Sequence, residues 1–285
     1  MYKTQLLRCL ILGSFFVISG AMLARSASAQ SSLDPGLAFA AVSDSQVKLD
    51  KNASIGGATG ALGDLILGES ASVSGNGTSL GNKIKLSRLA VVSGICETTG
   101  GKVTLGKNAT CTGGVDTAGI NPAIVPLQTF STSGAKACPP GGVSEGALTL
   151  DRNGAATLTA VSGFNEFDYT NITLKKNAFL TVSGPADALV VIKDSGSLTL
   201  DKGAAIAVGS GGLTPSNLLI LVNTAKSSAN SIVSGSLVSA GVCNLKGNSF
   251  INGQLVCGGK VTLGAKGNVS GGKLNEQVAT DVTCP

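Results

Sequence analysis

The chain has 285 residues, with 21 lysine and arginine residues, 16 acidic residues, 40 glycines, no histidine and no tryptophan. Without histidine, Ser-His-Asp and Cys-His catalytic arrangements are excluded, because both use an imidazole as the general base. The chain also has few aromatic residues and no basic run outside its first residues. This argues against a nucleic-acid partner, which needs clustered positive charge and stacking rings.

Residues 1–29 have the features of a secretory signal peptide. Lys3 and Arg8 supply a positive start, an apolar stretch follows, and residues 27–29 (Ala-Ser-Ala) form a small-residue cleavage site before Gln30. An uncleaved anchor helix is the alternative, which the small-residue site disfavours. We therefore predict a secreted protein, located outside the cell, at its surface or in the periplasm. After cleavage it is not expected to stay inserted in a membrane.

Residues 30–113 repeat one phrase, which the stretch VTLGKNATCTGG at 103–114 shows most clearly. Nine copies occur in the whole chain, and they start at Val47, Leu65, Ile84, Val103, Leu148, Ile172, Leu198, Cys243 and Val261. The third position is leucine in all nine, and the ninth is a large apolar residue or cysteine in eight. Positions one and three point to the same face of a strand. The polar residues after position three, often Asn or Gly, predict a sharp corner with left-handed backbone.

Regular copies start 18 or 19 residues apart. A period of this size with short strands predicts an all-β fold, a parallel β-solenoid with one coil per copy. A β-sandwich or a barrel is the alternative, although neither requires a leucine column at a near-constant period. The length predicts roughly 13 coils stacked about 4.8 Å apart. Residues 30–46 and the tail around Cys284 are the expected end caps.

Residues 114–147 interrupt this rhythm with four prolines. Proline does not suit central strands, because it cannot donate a backbone hydrogen bond. We predict a connector or side excursion here. It would separate N-terminal coils in residues 30–113 from C-terminal coils and a cap in residues 148–285.

Six cysteines follow the predicted signal peptide, and an even number in an exported protein indicates disulfides. The spacing favours the pairs Cys96–Cys111 and Cys243–Cys257, which leaves Cys138 with Cys284; the six cysteines allow other pairings as well. Zinc is the competing interpretation, but neither a CxxC pair nor a histidine supports it. We expect no bound metal and no cofactor.

The second and tenth positions of the copies point outward and are rich in threonine. The candidate binding ladder is Thr104, Thr149, Thr173, Thr199 and Thr262 at the second position, with Thr112, Thr157 and Thr181 at the tenth. One interpretation is that threonine simply favours strands and is solvated there. The other is that regular rows of hydroxyl groups bind an extended lattice, such as ice or a crystalline polysaccharide.

Asp187, Asp194 and Asp201 come nearest to an acidic cluster, at sevenfold spacing. An enzyme that cleaves acidic polysaccharides would need clustered carboxylates for calcium or for acid–base chemistry. We predict no catalytic residues and no enzymatic activity. A β-helix enzyme acting on polysaccharides is kept as the second alternative.

The phrase VTLGKNATCTGG resembles the coil of bactofilin-type β-helices, whose subunits polymerise end to end. Residues 168–272 resemble two further families through the succession of PADALVVIKDSGSLTLDKGAAIAV, SNLLILVN and VSGSLVSAGVCNLKGNSFINGQLVCGGKVTL. These families are the secreted choice-of-anchor-A adhesin-like domain and the microbial β-helical ice-binding proteins. Cys243 and Cys257 depart from the apolar pattern. The resemblance implies a secreted β-helix.

From these features we predict a secreted, non-enzymatic β-solenoid with a structural or adhesive role. It would act at a cell surface or in an extracellular matrix through many weak contacts along a rigid face. Its expected partners are further copies of itself, or a glycan or other surface ligand. Ice binding through the outward Thr and Ser ladders is the alternative.

Overall fold

The computed structural model describes residues 38–81, 83–118, 145–275 and 277–278. The predicted signal peptide and most of the predicted connector, with Cys138 and Cys284, lie outside the described residues. The described chain is all-β. It contains 28 strands, numbered β1 to β28 in chain order, and a short 3₁₀ helix at Pro215–Asn217. The strands pair in parallel along the stack, so the predicted parallel β-solenoid is confirmed.

Each coil has three sides, which we call side A, side B and side C. Side A consists of β2 (Val47–Leu49), β5 (Leu65–Leu67), β8 (Lys83–Leu86), β11 (Lys102–Leu105), β14 (Ala147–Leu150), β17 (Asn171–Leu174), β24 (Cys243–Leu245) and β27 (Val261–Leu263). Side B consists of β3 (Ser54–Ile55), β6 (Ser72–Val73), β9 (Val91–Val92), β12 (Thr110–Cys111), β15 (Ala155–Thr159), β18 (Phe179–Ser183), β20 (Ala205–Val208), β22 (Ile232–Ser234), β25 (Phe250–Asn252) and β28 (Asn268–Val269).

Side C consists of β1 (Ala41–Ser43), β4 (Thr59–Ala61), β7 (Gly77–Ser79), β10 (Cys96–Thr98), β13 (Val115–Asp116), β16 (Gly163–Tyr169), β23 (Ser236–Ser239) and β26 (Leu255–Cys257). Two longer strands, β19 (Ala188–Leu200) and β21 (Leu218–Ser227), start on side C and continue into side A. A shift in register between Asp194 and Ser197 marks the bend in β19. These strands join sides A and C into one sheet, while side B is a separate sheet.

Side B shows the number of coils, because every coil contributes one strand to it. Its strands follow one another in the order β12, β9, β6, β3, β28, β25, β22, β20, β18, β15. The described residues therefore form ten coils, fewer than the roughly 13 that the length suggests. The coils between residues 148 and 225 take 24 to 27 residues each, which accounts for about one coil of the difference, and residues 119–144 lie outside the described residues. One of the ten coils has no counterpart among the nine repeat copies: it starts at Ala225, and Ser227 stands in place of the leucine.

The order of coils along the stack differs from their order along the chain. β27 pairs with β2, and β28 pairs with β3, so the last C-terminal coil stacks on the first N-terminal coil. β1 lies between β26 and β4 and completes side C of the coil that starts at Val261. The stack therefore starts at the coil of Leu148, crosses from Val261 to Val47 in its middle, and ends at the coil of Val103. The expectation that residues 30–46 cap one end is wrong for Ala41–Ser43.

Gln254 holds both ends of the described chain at this central junction. Its side-chain Nε2 donates to the carbonyl of Phe39 at 2.8 Å, and its Oε1 accepts from the backbone N–H of Leu274 at 3.1 Å. The N–H of Leu255 also donates to the carbonyl of Ala40, at 2.9 Å. Because the Gln254 amide is buried, these bonds satisfy polar groups that would otherwise destabilise the junction.

The third position of each coil points inward and forms a column through the core. In stack order the column is Leu150, Leu174, Leu200, Ser227, Leu245, Leu263, Leu49, Leu67, Leu86 and Leu105. The inner leucines are buried, as predicted, whereas Leu105 is 44% exposed. Leu105 points inward like the others, but its coil is the last one and no described coil covers it. Ser227 is buried, and its hydroxyl forms a hydrogen bond with the hydroxyl of Ser249 at 2.8 Å.

Every coil turns from side A to side B through left-handed backbone at its sixth position. The φ angle there lies between 55° and 74° in all ten coils. Asparagine occupies six of these positions: Asn52, Asn108, Asn153, Asn177, Asn230 and Asn248. Gly203, Ser70, Leu89 and Lys266 occupy the remaining four. Glycine and asparagine tolerate this conformation best, which confirms the predicted corner.

Leu89→Asn is expected to raise the free energy of unfolding by about 1 kcal/mol, because left-handed backbone is costly for leucine and less so for asparagine. Little packing is lost, since Leu89 is 44% exposed. The reverse change, Asn177→Leu, is expected to lower the free energy of unfolding by a similar amount. Urea unfolding of both variants measures this, and two neutral substitutions would contradict the corner geometry.

Candidate binding surface on side B

The outward surface of side B consists of two columns that flank the inward ninth position of each coil. Column eight, in stack order, is Ala155, Phe179, Ala205, Ile232, Phe250, Asn268, Ser54, Ser72, Val91 and Thr110. Column ten is Thr157, Thr181, Ala207, Ser234, Asn252, Ser270, Gly56, Ser74, Ser93 and Thr112. Both columns run without interruption through the junction between the C-terminal and N-terminal coils.

None of the twenty residues in columns eight and ten carries a charge. The equivalent outward column on side A is Thr149, Thr173, Thr199, Lys226, Asn244, Thr262, Lys48, Ile66, Lys85 and Thr104. Three lysines interrupt it, and a lysine ammonium is long, mobile and strongly hydrated. Side B is therefore the more uniform of the two surfaces.

The side B surface is regular in two directions. Neighbouring coils repeat about every 4.8 Å along the stack, and the two columns lie about 6.6 Å apart along each strand. Side chains also bond across coils: Asn268 Nδ2 donates to Ser54 Oγ at 2.6 Å, and Ser270 Oγ donates to Asn252 Oδ1 at 3.2 Å. These bonds hold four of the polar side chains in fixed positions relative to one another.

The two halves of column eight differ in polarity. The half from the C-terminal coils includes Phe179 and Ile232, which are exposed, with the buried Ala205 between them. The half that begins at Asn268 is mostly small and polar. Side B thus combines an apolar part with a hydroxyl-rich part on one continuous sheet.

The outward surface of side C is covered. Its outward residues Val42, Val191, Leu219, Val238 and Val256 are buried and belong to a second apolar cluster outside the coils. Phe39, Leu274 and Val278 are members of the same cluster. Side C therefore offers no comparable exposed surface, and sides A and B are the two open faces among the described residues.

The structure divides the predicted threonine ladder between two faces. Thr149, Thr173 and Thr199 are adjacent on side A. Thr262 lies further along the same side between Asn244 and Lys48, and Thr104 lies at its far end. Thr157 and Thr181 are adjacent on side B, where Thr112 lies in the last coil. Sequence reasoning found column ten but missed column eight, because its residue types vary from coil to coil.

Two of the predicted disulfides are confirmed. Cys96–Cys111 connects side C of one coil to side B of the last coil, with the Cα atoms 5.7 Å apart. Cys243–Cys257 connects side A to side C within one coil, with the Cα atoms 6.2 Å apart. The predicted third pair, Cys138 and Cys284, lies outside the described residues. A disulfide in the last coil counteracts fraying, since that coil has a neighbour on one side only.

The three aspartates considered for catalysis do not meet. Asp187 accepts a hydrogen bond from Ser162 at the start of β19, whereas Asp194 is buried at the bend of the same strand. At about 3.3 Å per residue, the seven residues from Asp187 to Asp194 separate these two groups by about 23 Å. Asp201 directly follows the end of β19, beyond the bend. Asp194 accepts from the N–H groups of Gly196 and Ile172 at 2.8 and 3.1 Å, and burial raises the pKa of its carboxyl. It holds the bend between sides C and A.

A charged cluster that the sequence did not reveal lies on the outward surface of side C. Lys193 is buried and pairs with Glu166 at 2.8 Å, and Asp168 lies opposite Lys193 on the neighbouring strand. Burial, with the nearby Glu166 charge, raises the pKa of Asp168.

Among the described residues, no group of three or more His, Cys, Asp or Glu side chains could hold a metal ion. No helix within the described ranges is long and apolar enough to cross a membrane.

No protein-family model matches the chain, and no curated protein matches its sequence. Several solved structures are similar. An ice-binding protein from the Antarctic ascomycete Antarctomyces psychrotrophicus has a TM-score of 0.49 and 17% identity, over 84% of this chain and 96% of that one. An ice-binding protein from an Antarctic biological consortium has a TM-score of 0.46 and 18% identity, over 83% and 88%. A glycosylated ice-binding protein from an Arctic yeast has a TM-score of 0.47 and 15% identity, over 85% and 94%.

Proposed function

We propose that this protein binds ice through side B. The observation that carries the proposal is the pair of columns eight and ten, whose twenty residues over ten stacked coils are all uncharged. A shared fold at 15–18% identity does not transfer a function. The proposal therefore depends on the residues of side B.

An ice surface is flat, repetitive and made of water alone, so a protein must match it with a surface that is also flat and repetitive. Lysine or aspartate side chains would keep their own hydration shells and hold the lattice away. Hydroxyl and methyl groups of Ser and Thr avoid this cost, because they offer short polar contacts beside small apolar ones. Ten rigid coils make many weak contacts at once, and their sum gives stable attachment without an ordering cost at each residue.

The predicted adhesive role on glycans is the other candidate, and the composition of side B supports it less. Sugar recognition relies on fixed polar groups that orient the ligand within a pocket or groove. The only amide side chains in columns eight and ten are Asn252 and Asn268, and both hydrogen-bond to neighbouring coils. The exposed Phe179 is the feature that a sugar ring would use.

The experiment is to measure freezing and melting temperatures of single ice crystals in a solution of the purified protein, and its partition into a slowly growing ice front. We expect a gap between the two temperatures, faceted crystals and enrichment of the protein in the ice. A matched protein without a regular surface should be excluded from the ice. Coincident freezing and melting temperatures with exclusion from ice would overturn the proposal, and retention on an insoluble polysaccharide in the same protein would favour the adhesive role.

A further inference from the structure

Both ends of the ten-coil stack have open strand edges. At one end β11, β12 and β13 each pair with a single described strand, on the inner side. At the other end the same holds for β14, β15 and β16. An open strand edge presents unpaired N–H and C=O groups, which form a template for a further strand.

The apolar core is also open at both ends. In the coil that starts at Val103, Leu105 is 44% exposed and Val115 is 49% exposed. In the coil that starts at Leu148, the inward Leu148, Leu150 and Phe167 are only partly buried. Exposed apolar side chains at the ends of a repeat stack favour contact with another apolar surface.

We propose that the two ends dock head to tail, so that the coil of Leu148 in a second copy stacks on the coil of Val103. Residues 103–112 and 148–157 correspond position by position, from the first position of the coil on side A to column ten on side B. Leu148 of one copy would continue the column of Val103 in the other, and Leu150 would continue that of Leu105. All coils progress in one direction along the stack axis. When two copies dock head to tail, each copy therefore keeps one free end, and the assembly is an open row rather than a closed dimer.

The charges of the two ends have opposite signs. Residues 83–118, the last two coils at one end, carry five basic side chains and two acidic ones: Lys83, Lys85, Arg88, Lys102 and Lys107 against Glu97 and Asp116. Residues 145–170 carry four acidic side chains and one basic one: Glu145, Asp151, Glu166 and Asp168 against Arg152. Compared over two coils at each end, the net charge is +3 for residues 83–118 and −2 for residues 145–197, where six acidic side chains stand against four basic ones. This difference attracts the unlike ends and disfavours contact between like ends.

The register also identifies one unfavourable contact across the joint. A single outward column on side C runs from Asp168, through its neighbour Lys193, to Asp116 in the last coil. Stacking would bring Asp116 of one copy opposite Asp168 of the next. Asp116→Lys would replace this repulsion with the Lys–Asp neighbour arrangement that Lys193 and Asp168 already have within one chain.

The test is sedimentation and light scattering of the purified protein over a wide concentration range, with electron microscopy of the largest species. We expect reversible rows whose lengths are multiples of one stack, about 48 Å for ten coils. Leu105→Lys is expected to weaken association at least tenfold, and Asp116→Lys to strengthen it about tenfold. Val242→Lys is the matched control, because Val242 is 42% exposed and lies outside both end coils.

Three results would overturn the proposal. The first is a protein that stays monomeric at every concentration, which would mean that other segments of the same chain cover the ends. The second is association that Leu105→Lys leaves intact while circular dichroism shows a native fold. The third is equal weakening by Leu105→Lys and Val242→Lys. The proposal does not rest on ice binding. Measurements of ice crystals do not test the head-to-tail contact, and a monomeric protein would not contradict ice binding.

Discussion

The double variant Ser74→Lys with Ser234→Lys is expected to lose at least nine-tenths of the gap between freezing and melting temperatures, at equal protein concentration. Both residues lie in column ten of side B, in the eighth and fourth coils of the stack. Two lysines there leave no uncharged run longer than three coils. Because attachment depends on many contacts acting together, dividing the surface should reduce it far more than in proportion to the area lost.

The matched control is Thr173→Lys with Thr262→Lys, which adds the same two charges to side A. Side A already contains Lys48, Lys85 and Lys226 in its outward column. We expect this control to keep the activity of the unmodified protein. Ser234, Thr173 and Thr262 lie on strands and Ser74 directly follows β6, all with outward side chains, so each substitution should change the free energy of unfolding by about 0.5 kcal/mol or less. Equal loss in both double variants, or loss in the control alone, would contradict the assignment of the surface to side B.

Leu263→Ala is expected to lower the free energy of unfolding by about 3 kcal/mol, through lost burial and the cavity left behind. Leu263 is fully buried between Leu245 and Leu49, at the junction of the C-terminal and N-terminal coils. Leu105→Ala at the end of the stack should cost less than about 1 kcal/mol, because that side chain is already 44% exposed. Urea unfolding with intact disulfides measures both variants.

The two variants, Leu263→Ala and Leu105→Ala, distinguish the observed stacking order from stacking in chain order. If the coils stacked in chain order, Leu263 would lie in the last coil and Leu105 near the middle, and the sizes of the two effects would be reversed. A single unfolding transition for the unmodified protein is also expected, since neighbouring coils in a stack share one core. Larger destabilisation by Leu105→Ala than by Leu263→Ala would contradict the observed order.

The local features of the coil could be predicted from the sequence, because each depends on residues close together in the chain. The leucine column and the corner at the sixth position follow from the period of the repeat and the alternation of strand side chains, and the short spacing of Cys96 and Cys111 favours their pairing. The coil of Ala225 escaped prediction because its buried Ser227 is polar. Its hydroxyl forms a hydrogen bond with Ser249, which belongs to the next coil along the stack. The repeat pattern does not predict this contact.

The order of coils and the binding surface could not be predicted in the same way. All coils share the same pattern of inward residues, so the repeat carries no local signal that β2 stacks on β27. That choice depends on long-range contacts such as those of Gln254 with Phe39 and Leu274. Column eight has no common residue type and emerges only when the coils are stacked. Its common property is the absence of charge, which becomes visible once all ten residues lie side by side.

The most direct test of the central claim, a single face assembled from coils in non-sequential order, is the distance between spin labels at Thr104→Cys and Thr149→Cys. Cys138 and Cys284 are replaced by serine, and the labelled protein is diluted with unlabelled protein so that only distances within one chain are recorded. These residues lie in the two end coils, nine coil spacings apart, so we expect a distance of about 43 Å between the labels. A distance near that of adjacent coils, about 5 to 10 Å, would contradict it.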